Sequence, residues 1–337
     1  MRTRSRRTFL RLCAVAAGGA LQACVPAAVP QPTPTAAPAA TRAAATKLTV
    51  SYGSPTGSFA PLWMAKATNA FDKYGVSVDI QFIETSAAVP AIISNSIDAE
   101  EVSAAPIITA DVNGGLDLVF IGSALNHPIL ALYAVPEITN AEQLKGKAIA
   151  SDKAGTPTDY SARVSLSLLG LKPEDVDLRP IGSATEILPA MLSGQVQAGV
   201  VAPPQSFVVE SKGFHLLQDI FSQPYQNTGL VVKRSRLDEL ASSLVPLLAG
   251  YRDGILAWNS QPDLAMQVQD QYAKVGDPDI LRKTYDFYTK TAPFDPSLQP
   301  TVPGIKAMMD FLKSSVPNVS NYTPEQFVDT RFLAQLP

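Results

Sequence analysis

The sequence predicts an α/β fold made of two similar lobes, and three observations predict it. Strand-like and helix-like runs alternate from residue 48 onward, as in βαβ units with a largely parallel sheet. The pattern restarts near residue 147. Residues 90–99 (PAIISNSIDA) line up with residues 189–198 (PAMLSGQVQA) at an offset of 99, far longer than solenoid periods, which points to two lobes rather than an array. With 337 residues, 46% of them hydrophobic and 17% charged, the chain has the length and apolar content for a sizeable core.

Taken in order, residues 48–51 form a strand and residues 60–74 a helix with Pro61 in its first turn, where a fixed φ is tolerated. Residues 76–83 alternate apolar and polar side chains as a half-buried strand does, 87–94 are helical, and 119–121 form a further strand. Asn95 and Gly194 close the matching helices because both residue types tolerate a left-handed helix end, and each leads into a short strand. The second copy supplies a strand at 147–150, a helix at 158–169, a strand at 176–180 and a helix at 186–193. Residues 228–232 are β-rich. Apolar spacing then predicts helices at 240–258, 263–272, 280–288 and 305–312. The simplest closure has the chain cross between lobes near 132–136 and return near 230–232. Lobe one is then 47–132 plus 232–337, and lobe two is 133–231.

The net charge of −3 hides an uneven distribution. Arg2, Arg4, Arg6, Arg7 and Arg11 precede any acid, and from residue 24 onward 22 basic side chains face 30 acidic ones, which argues against a nucleic-acid partner. The two cysteines, Cys13 and Cys24, lie before the folded body, so no disulfide framework, catalytic thiol or metal site is expected there. A basic segment ending at Arg11, an apolar run over 12–21 and small residues before Cys24 make an export signal too short for a stable membrane span. Residues 5–11, SRRTFLR, resemble a twin-arginine signal built on Arg6 and Arg7. Residues 21–24, LQAC, resemble a lipoprotein cleavage box, although Gln22 is larger than usual there. On that reading 1–23 is removed and Cys24 becomes the lipidated first residue; the alternative is ordinary cleavage near Ala23. Residues 24–46, rich in Ala, Pro and Thr, are a semi-extended tether.

Further along, Tyr52-Gly53, 61–66 (PLWMAK), 71–76 (FDKYGV), 97–99 (IDA), 141–147 (AEQLKGK), 155–158 (GTPT), 192–198 (LSGQVQA) and 202–204 (APP) resemble periplasmic solute-binding proteins of the nitrate, sulfonate and taurine importer group, which also includes binders of thiamine-pyrimidine precursors. The order and spacing of these short motifs over about 170 residues are what is specific. Ser96 and Gln197 depart from the Gly and Asp usual at their turns. The resemblance implies a two-lobed type II periplasmic-binding-protein fold, with two mainly parallel sheets, flanking helices and two crossing strands. It also implies an extracytoplasmic lipoprotein outside the cytoplasmic membrane that delivers a small-molecule solute to the permease and ATPase of an ABC importer. A monomer without a cofactor is expected.

In such sheets the ligand sits beyond the carboxyl ends of strands, where loops meet helix N-termini. Ser54, Thr56, Ser58 and Phe59 occupy that loop in lobe one, with Ser58 expected as helix N-cap. Gly155, Thr156 and Thr158 occupy it in lobe two, where Thr156, Pro157 and Asp159 fit N-cap, N1 and N3. Two facing N-termini suit an anion or a strongly polar group; capped turns without a ligand are the other reading. Ser86, Ser103, Asn126, Ser183 and Gln205 complete the candidates. His127 is either a contact or an inert loop residue, His215 reads as structural, and Tyr52, Trp63 and Tyr160 offer aromatic surface, with Trp63 better suited to the core. With two histidines and no HExxH, GxSxG or phosphate loop, an enzyme is not expected. Two alternatives stand beside solute capture: a pyrimidine-precursor synthase of the same fold, opposed by the export signal, and a lipoprotein that only signals. The solute itself, whether oxyanion, sulfonate, carboxylate or heterocycle, is not written in these residues.

Overall fold

The computed structural model describes residues 46–115, 118–182 and 184–337. The signal-like segment with Arg6, Arg7 and Cys24, and the tether through residue 45, lie outside the described residues.

Strand β1 (Thr46–Tyr52) leads through a 3-10 turn (Gly57–Phe59) into α1 (Ala60–Ala67). The helix expected to reach residue 74 breaks at Asn69, which is left-handed at φ 54°, and resumes as α2 (Ala70–Lys73). Then come β2 (Val76–Phe82), α3 (Thr85–Ile93), β3 (Ala99–Val102), α4 (Ala104–Gly114) and β4 (Leu118–Ser123). The following stretch holds β5 (Ala131–Ala134), α5 (Ala141–Leu144), β6 (Ala148–Ser151), α6 (Pro157–Leu168), β7 (Asp177–Pro180), α7 (Ala184–Leu192), β8 (Ala198–Val201), α8 (Gln205–Ser211) and β9 (His215–Asp219). After β10 (Gly229–Lys233) the chain is helical: α9 (Leu237–Ser260), α10 (Pro262–Ala273), α11 (Pro278–Asp286), a π turn (Phe287–Thr291) and α12 (Val302–Leu312), followed by short 3-10 turns.

These strands form two five-stranded sheets, ordered β2-β1-β3-β10-β4 and β7-β6-β8-β5-β9. The orders match when β1, β2, β3 and β4 are laid on β6, β7, β8 and β9, with β10 and β5 in the same slot. The internal duplication is therefore a property of the fold. α3 and α7 start 99 residues apart, and the residues after them, Asn95 and Gly194, both take φ > 0 (58° and 75°), the conformation that ends each helix. Four strands of each sheet run one way and the fifth is reversed: β10 pairs antiparallel with β3 and β4, and β5 with β8 and β9. Each sheet is thus mixed rather than uniformly parallel. The reversed strand is the first one made after each crossing, so the two halves exchange one strand.

The crossings are the segments 124–130 and 220–228, ahead of the expected positions. Leu132 and Leu230 lie inside β5 and β10 because each short run has a pairing partner on both sides, which satisfies its buried backbone groups.

One face of the first sheet packs Leu48, Val50 and Ile121 against α1 and α9 through Leu62, Trp63, Leu247, Tyr251 and Trp258. Its other face packs Phe120 and Val231 against Ile107, Ile108, Ile305 and Met308 of α4 and α12. α1 and α9 meet at Gly254, where an added Cβ would lie 2.1 Å from the Pro61 carbonyl oxygen, so only glycine permits this approach. In the second sheet the alternation of β5 sends Tyr133 to one face with Ile187 and Met191, and Leu132 to the other with Ile149 and Leu166.

Candidate functional site

A cavity of about 220 Å³ opens where the two sheets meet. The loops that follow β1, β3, β6 and β8 line it, together with the starts of α3 and α7 and parts of both crossings. That is the carboxyl-end position at which open α/β sheets hold ligands.

From the first half come Ser54, Thr56, Ser58, Phe59, Glu84, Thr85, Ser86 and Ser103; from the second come Asp152, Lys153, Thr156, Thr158 and Thr185. Ser54 Oγ lies 3.0 Å from Thr56 Oγ1, which lies 2.8 Å from Ser58 Oγ. Three hydroxyls joined by two hydrogen bonds leave one proton free to donate outward. Ser58 does not cap a helix as expected. It sits inside the 3-10 turn, and α1 begins behind it with Phe59 at the cap position and no side-chain capping bond.

Around the second loop, Thr156 is the N-cap of α6: its Oγ1 accepts the Asp159 amide at 3.3 Å and donates to the Lys153 carbonyl oxygen at 2.8 Å. Both capacities of that hydroxyl are engaged. Thr158 is buried in the cavity wall, and its hydroxyl has no hydrogen-bond partner among the described residues. α3 and α4 open on Glu84 and Ser103, neither of which caps with its side chain; the first amide of α4, that of Ala104, donates to the Gln226 carbonyl oxygen at 3.3 Å, while Thr85 and Ser86 at the start of α3 line the cavity.

Three charged side chains line the site: Glu84, Asp152 and Lys153. Burial holds the Asp152 carboxyl above its usual range; Glu84 and Asp159 add to the rise, and the amide and charge of Lys153 oppose it. Tyr225, from the second crossing, buries its hydroxyl without a hydrogen-bond partner among the described residues. Burial pushes that phenol up, and nearby Ser103 offsets part of the rise.

Eight expected residues therefore share one cavity: Ser54, Thr56, Ser58, Phe59, Ser86, Ser103, Thr156 and Thr158. Asn126 does not line it; its Oδ1 accepts from Ser123 Oγ at 2.9 Å and its Nδ2 donates to the Gln299 carbonyl oxygen at 2.7 Å. The Gly155 amide is bonded to Asp159, and Gln205 begins α8 away from the cavity. Ser183 lies outside the described residues. His127 is exposed and contributes only its carbonyl oxygen, which accepts Asn227 Nδ2 at 2.8 Å; His215 belongs to β9. Of the aromatic candidates only Phe59 faces the cavity. Trp63 stacks on Tyr272 with ring centroids 4.6 Å apart, Tyr52 sits in the same core, and Tyr160 lies behind Tyr225 at 5.2 Å. Tyr225, Asn227 and Thr228 were not foreseen: they lie in an irregular crossing with no periodic signal.

Read as a sequence, the same loops carry a family signature. The profile of the NMT1/THI5-like family matches residues 56–265, spanning cavity residues from Thr56 to Thr228. The chain belongs to the NMT1/THI5-like family. Among relatives of this NMT1/THI5-like chain, YtlA of Bacillus subtilis, which carries the provisional name of a binding protein, is 24% identical over 263 residues, 74% of this chain and 78% of YtlA. The periplasmic aliphatic sulphonate-binding protein SsuA of Escherichia coli has TM-score 0.69 at 17% identity, covering 84% of this chain and 92% of SsuA. The periplasmic nitrate-binding protein NrtA of Synechocystis PCC 6803 has TM-score 0.67 at 12% identity, covering 86% and 88%. These NMT1/THI5-like and structural relatives are mostly binding proteins, and the fold they share with this chain is that of periplasmic binding proteins.

Proposed function

We propose that this protein captures a small polar organic solute between two lobes, one built on each sheet, and delivers it to the permease of an ATP-driven importer. The observation that carries this reading is the hydroxyl-lined cavity at the carboxyl ends of β1, β3, β6 and β8, walled by both crossings. A solute touching both halves favours the closed arrangement, because only that arrangement makes both sets of contacts. The N-terminal signal supports an extracytoplasmic location, and Cys24 with its tether supports anchoring on the outer face of the membrane.

Glu84 and Asp152 outnumber Lys153, so the solute is one that offers hydrogen-bond donors or a positive group as well as acceptors. A plain oxyanion is the second reading, favoured by the start of α3, which lines the cavity without a capping side chain. A thermal-shift comparison of the full chain with taurine, ethanesulfonate, 4-aminopyrimidine and nitrate tests both. A binder at about 100 times its Kd stabilises the native state by about 2.7 kcal/mol. Stabilisation by an amino-bearing solute supports the first reading and by nitrate alone the second; a flat response to all four contradicts solute capture.

A further inference from the structure

A second cavity, of about 460 Å³, lies between α8 of the second half and α11 with the π turn of the first. The solute-capture reading does not use it. Ile129 of the first crossing lines both cavities, and no other wall residue is shared. The walls of the second cavity are apolar and largely aromatic, built on Ile129, Val201, Phe207, Phe221 and Phe287. Phe221 of the second crossing meets Phe287 of the π turn edge to face, with ring centroids 5.3 Å apart. Such walls suit a compact aromatic body. Within them Ser206 of α8 is only 2% exposed, and its hydroxyl has no hydrogen-bond partner among the described residues. A buried hydroxyl left unpaired is costly, so this wall is built to meet a polar group as well as an apolar one.

Charge enters this cavity only from the two helices and the π turn. Lys290 and Asp286 pair with each other at 3.1 Å. Glu210 of α8 and Lys283 of α11 form no ion pair among the described residues; the Lys283 ammonium instead lies 5.9 Å from the centroid of the Phe207 ring. One unpaired charge of each sign therefore stands on helices from different halves. A simple anion would be drawn to Lys283 and repelled by Glu210, and a simple cation the reverse; a molecule that carries both charges answers both. Burial, with the Glu210 charge second, pushes the Tyr133 phenol in the same wall up, so that hydroxyl stays protonated. We propose that this cavity is a second ligand site, one that takes an aromatic zwitterion with its ring against Phe207, Phe221 and Phe287, its carboxylate at Lys283 and its ammonium at Glu210.

The site does not rest on the solute-capture reading, and either can fail without the other. Its test is calorimetric titration of the full chain with L-phenylalanine at millimolar concentration. Wild type is expected to bind it, and Lys283→Ala and Glu210→Gln each to bind it about three- to tenfold more weakly, with melting temperatures in the absence of L-phenylalanine close to wild type. N-acetyl-L-phenylalanine, which lacks the ammonium, is expected to lose no affinity in E210Q, and phenethylamine, which lacks the carboxylate, to lose none in K283A. No binding of L-phenylalanine to wild type overturns the site. Affinity undiminished in both variants overturns it as well, and a loss confined to one of them overturns the zwitterion. Binding that survives both changes but is lost in Thr158→Val puts L-phenylalanine in the hydroxyl-lined cavity and overturns the second site.

Discussion

Asp159 Oδ2 accepts the amide proton of Gly155 at 2.9 Å. A simple capping box would have this N3 carboxylate accept from Thr156, but the Thr156 amide is bonded to the Lys153 carbonyl oxygen at 3.2 Å, so the carboxylate reaches one residue further back. Asp159 also pairs with Arg163 at 2.7 Å. The loop before α6 is therefore internally saturated, and a solute finds Thr158 open but Gly155 and Thr156 occupied.

Thr156→Ala removes the cap of α6 and both bonds of that hydroxyl. Its expected cost is about 1 kcal/mol of stability, in the range seen for lost N-caps, read as a lower urea midpoint with an unchanged slope. An unchanged midpoint would mean that Asp159 and Pro157 hold the helix start without it.

The turn that carries the hydroxyl ladder depends on Gly57. An added Cβ there would lie 2.2 Å from Cε2 of the buried Tyr288 ring. Gly57→Ala therefore forces the ring or the turn to move and is expected to destabilise by about 1 to 3 kcal/mol. Gly57→Ala combined with Tyr288→Leu, measured in a double-mutant cycle, is expected to recover part of that loss.

Glu100 has both carboxylate oxygens buried without a partner among the described residues, and burial drives its pKa from 4.5 up to about 8. Because the folded value lies above the unfolded one, the stability this group permits is complete below 4.5 and is lost as pH rises toward about 8. Glu100→Leu removes that loss. The variant is expected to gain on wild type by about 1.4 kcal/mol per pH unit within the window, measured by chemical denaturation at several pH values. A stability difference independent of pH would show that the carboxyl is charged in the native state.

The proposed export and the proposed anchoring are tested separately. Replacing Arg6 and Arg7 by Lys is expected to abolish export, and Cys24→Ala to release the exported protein from the membrane fraction. Normal export of the double-lysine variant would contradict the twin-arginine reading, and membrane retention of the alanine variant would contradict the lipid anchor.

Much of the fold was legible because repetition leaves a trace: the Asn95 and Gly194 turns mark the same place in each half, and long apolar periods located α9, α10 and α12. What escaped is short or aperiodic. β5 and β9 have four and five residues, too few to set a period, and β5 passed for a crossing because its partners β8 and β9 lie far along the chain. In the cavity, strand-to-helix loops of Ser, Thr and Gly gave themselves away by capping chemistry. Tyr225, Asn227 and Thr228 did not, since only the return of the chain between sheets brings them there. Asn126 misled because it has the same polar look but spends its amide on Ser123 and Gln299.

The central claim is that this cavity holds the solute, and calorimetry on Thr158→Val tests it most directly. The titrant is whichever of taurine, ethanesulfonate, 4-aminopyrimidine or nitrate raises the melting temperature of the wild type. Thr158 is buried in the wall, its hydroxyl bonds nothing among the described residues, and valine preserves its shape. The account predicts an apo melting temperature close to wild type and an affinity lower by about 5- to 150-fold, the equivalent of one lost hydrogen bond of about 1 to 3 kcal/mol. Wild-type affinity in Thr158→Val, with Tyr225→Phe equally silent, would place the solute elsewhere and contradict the account.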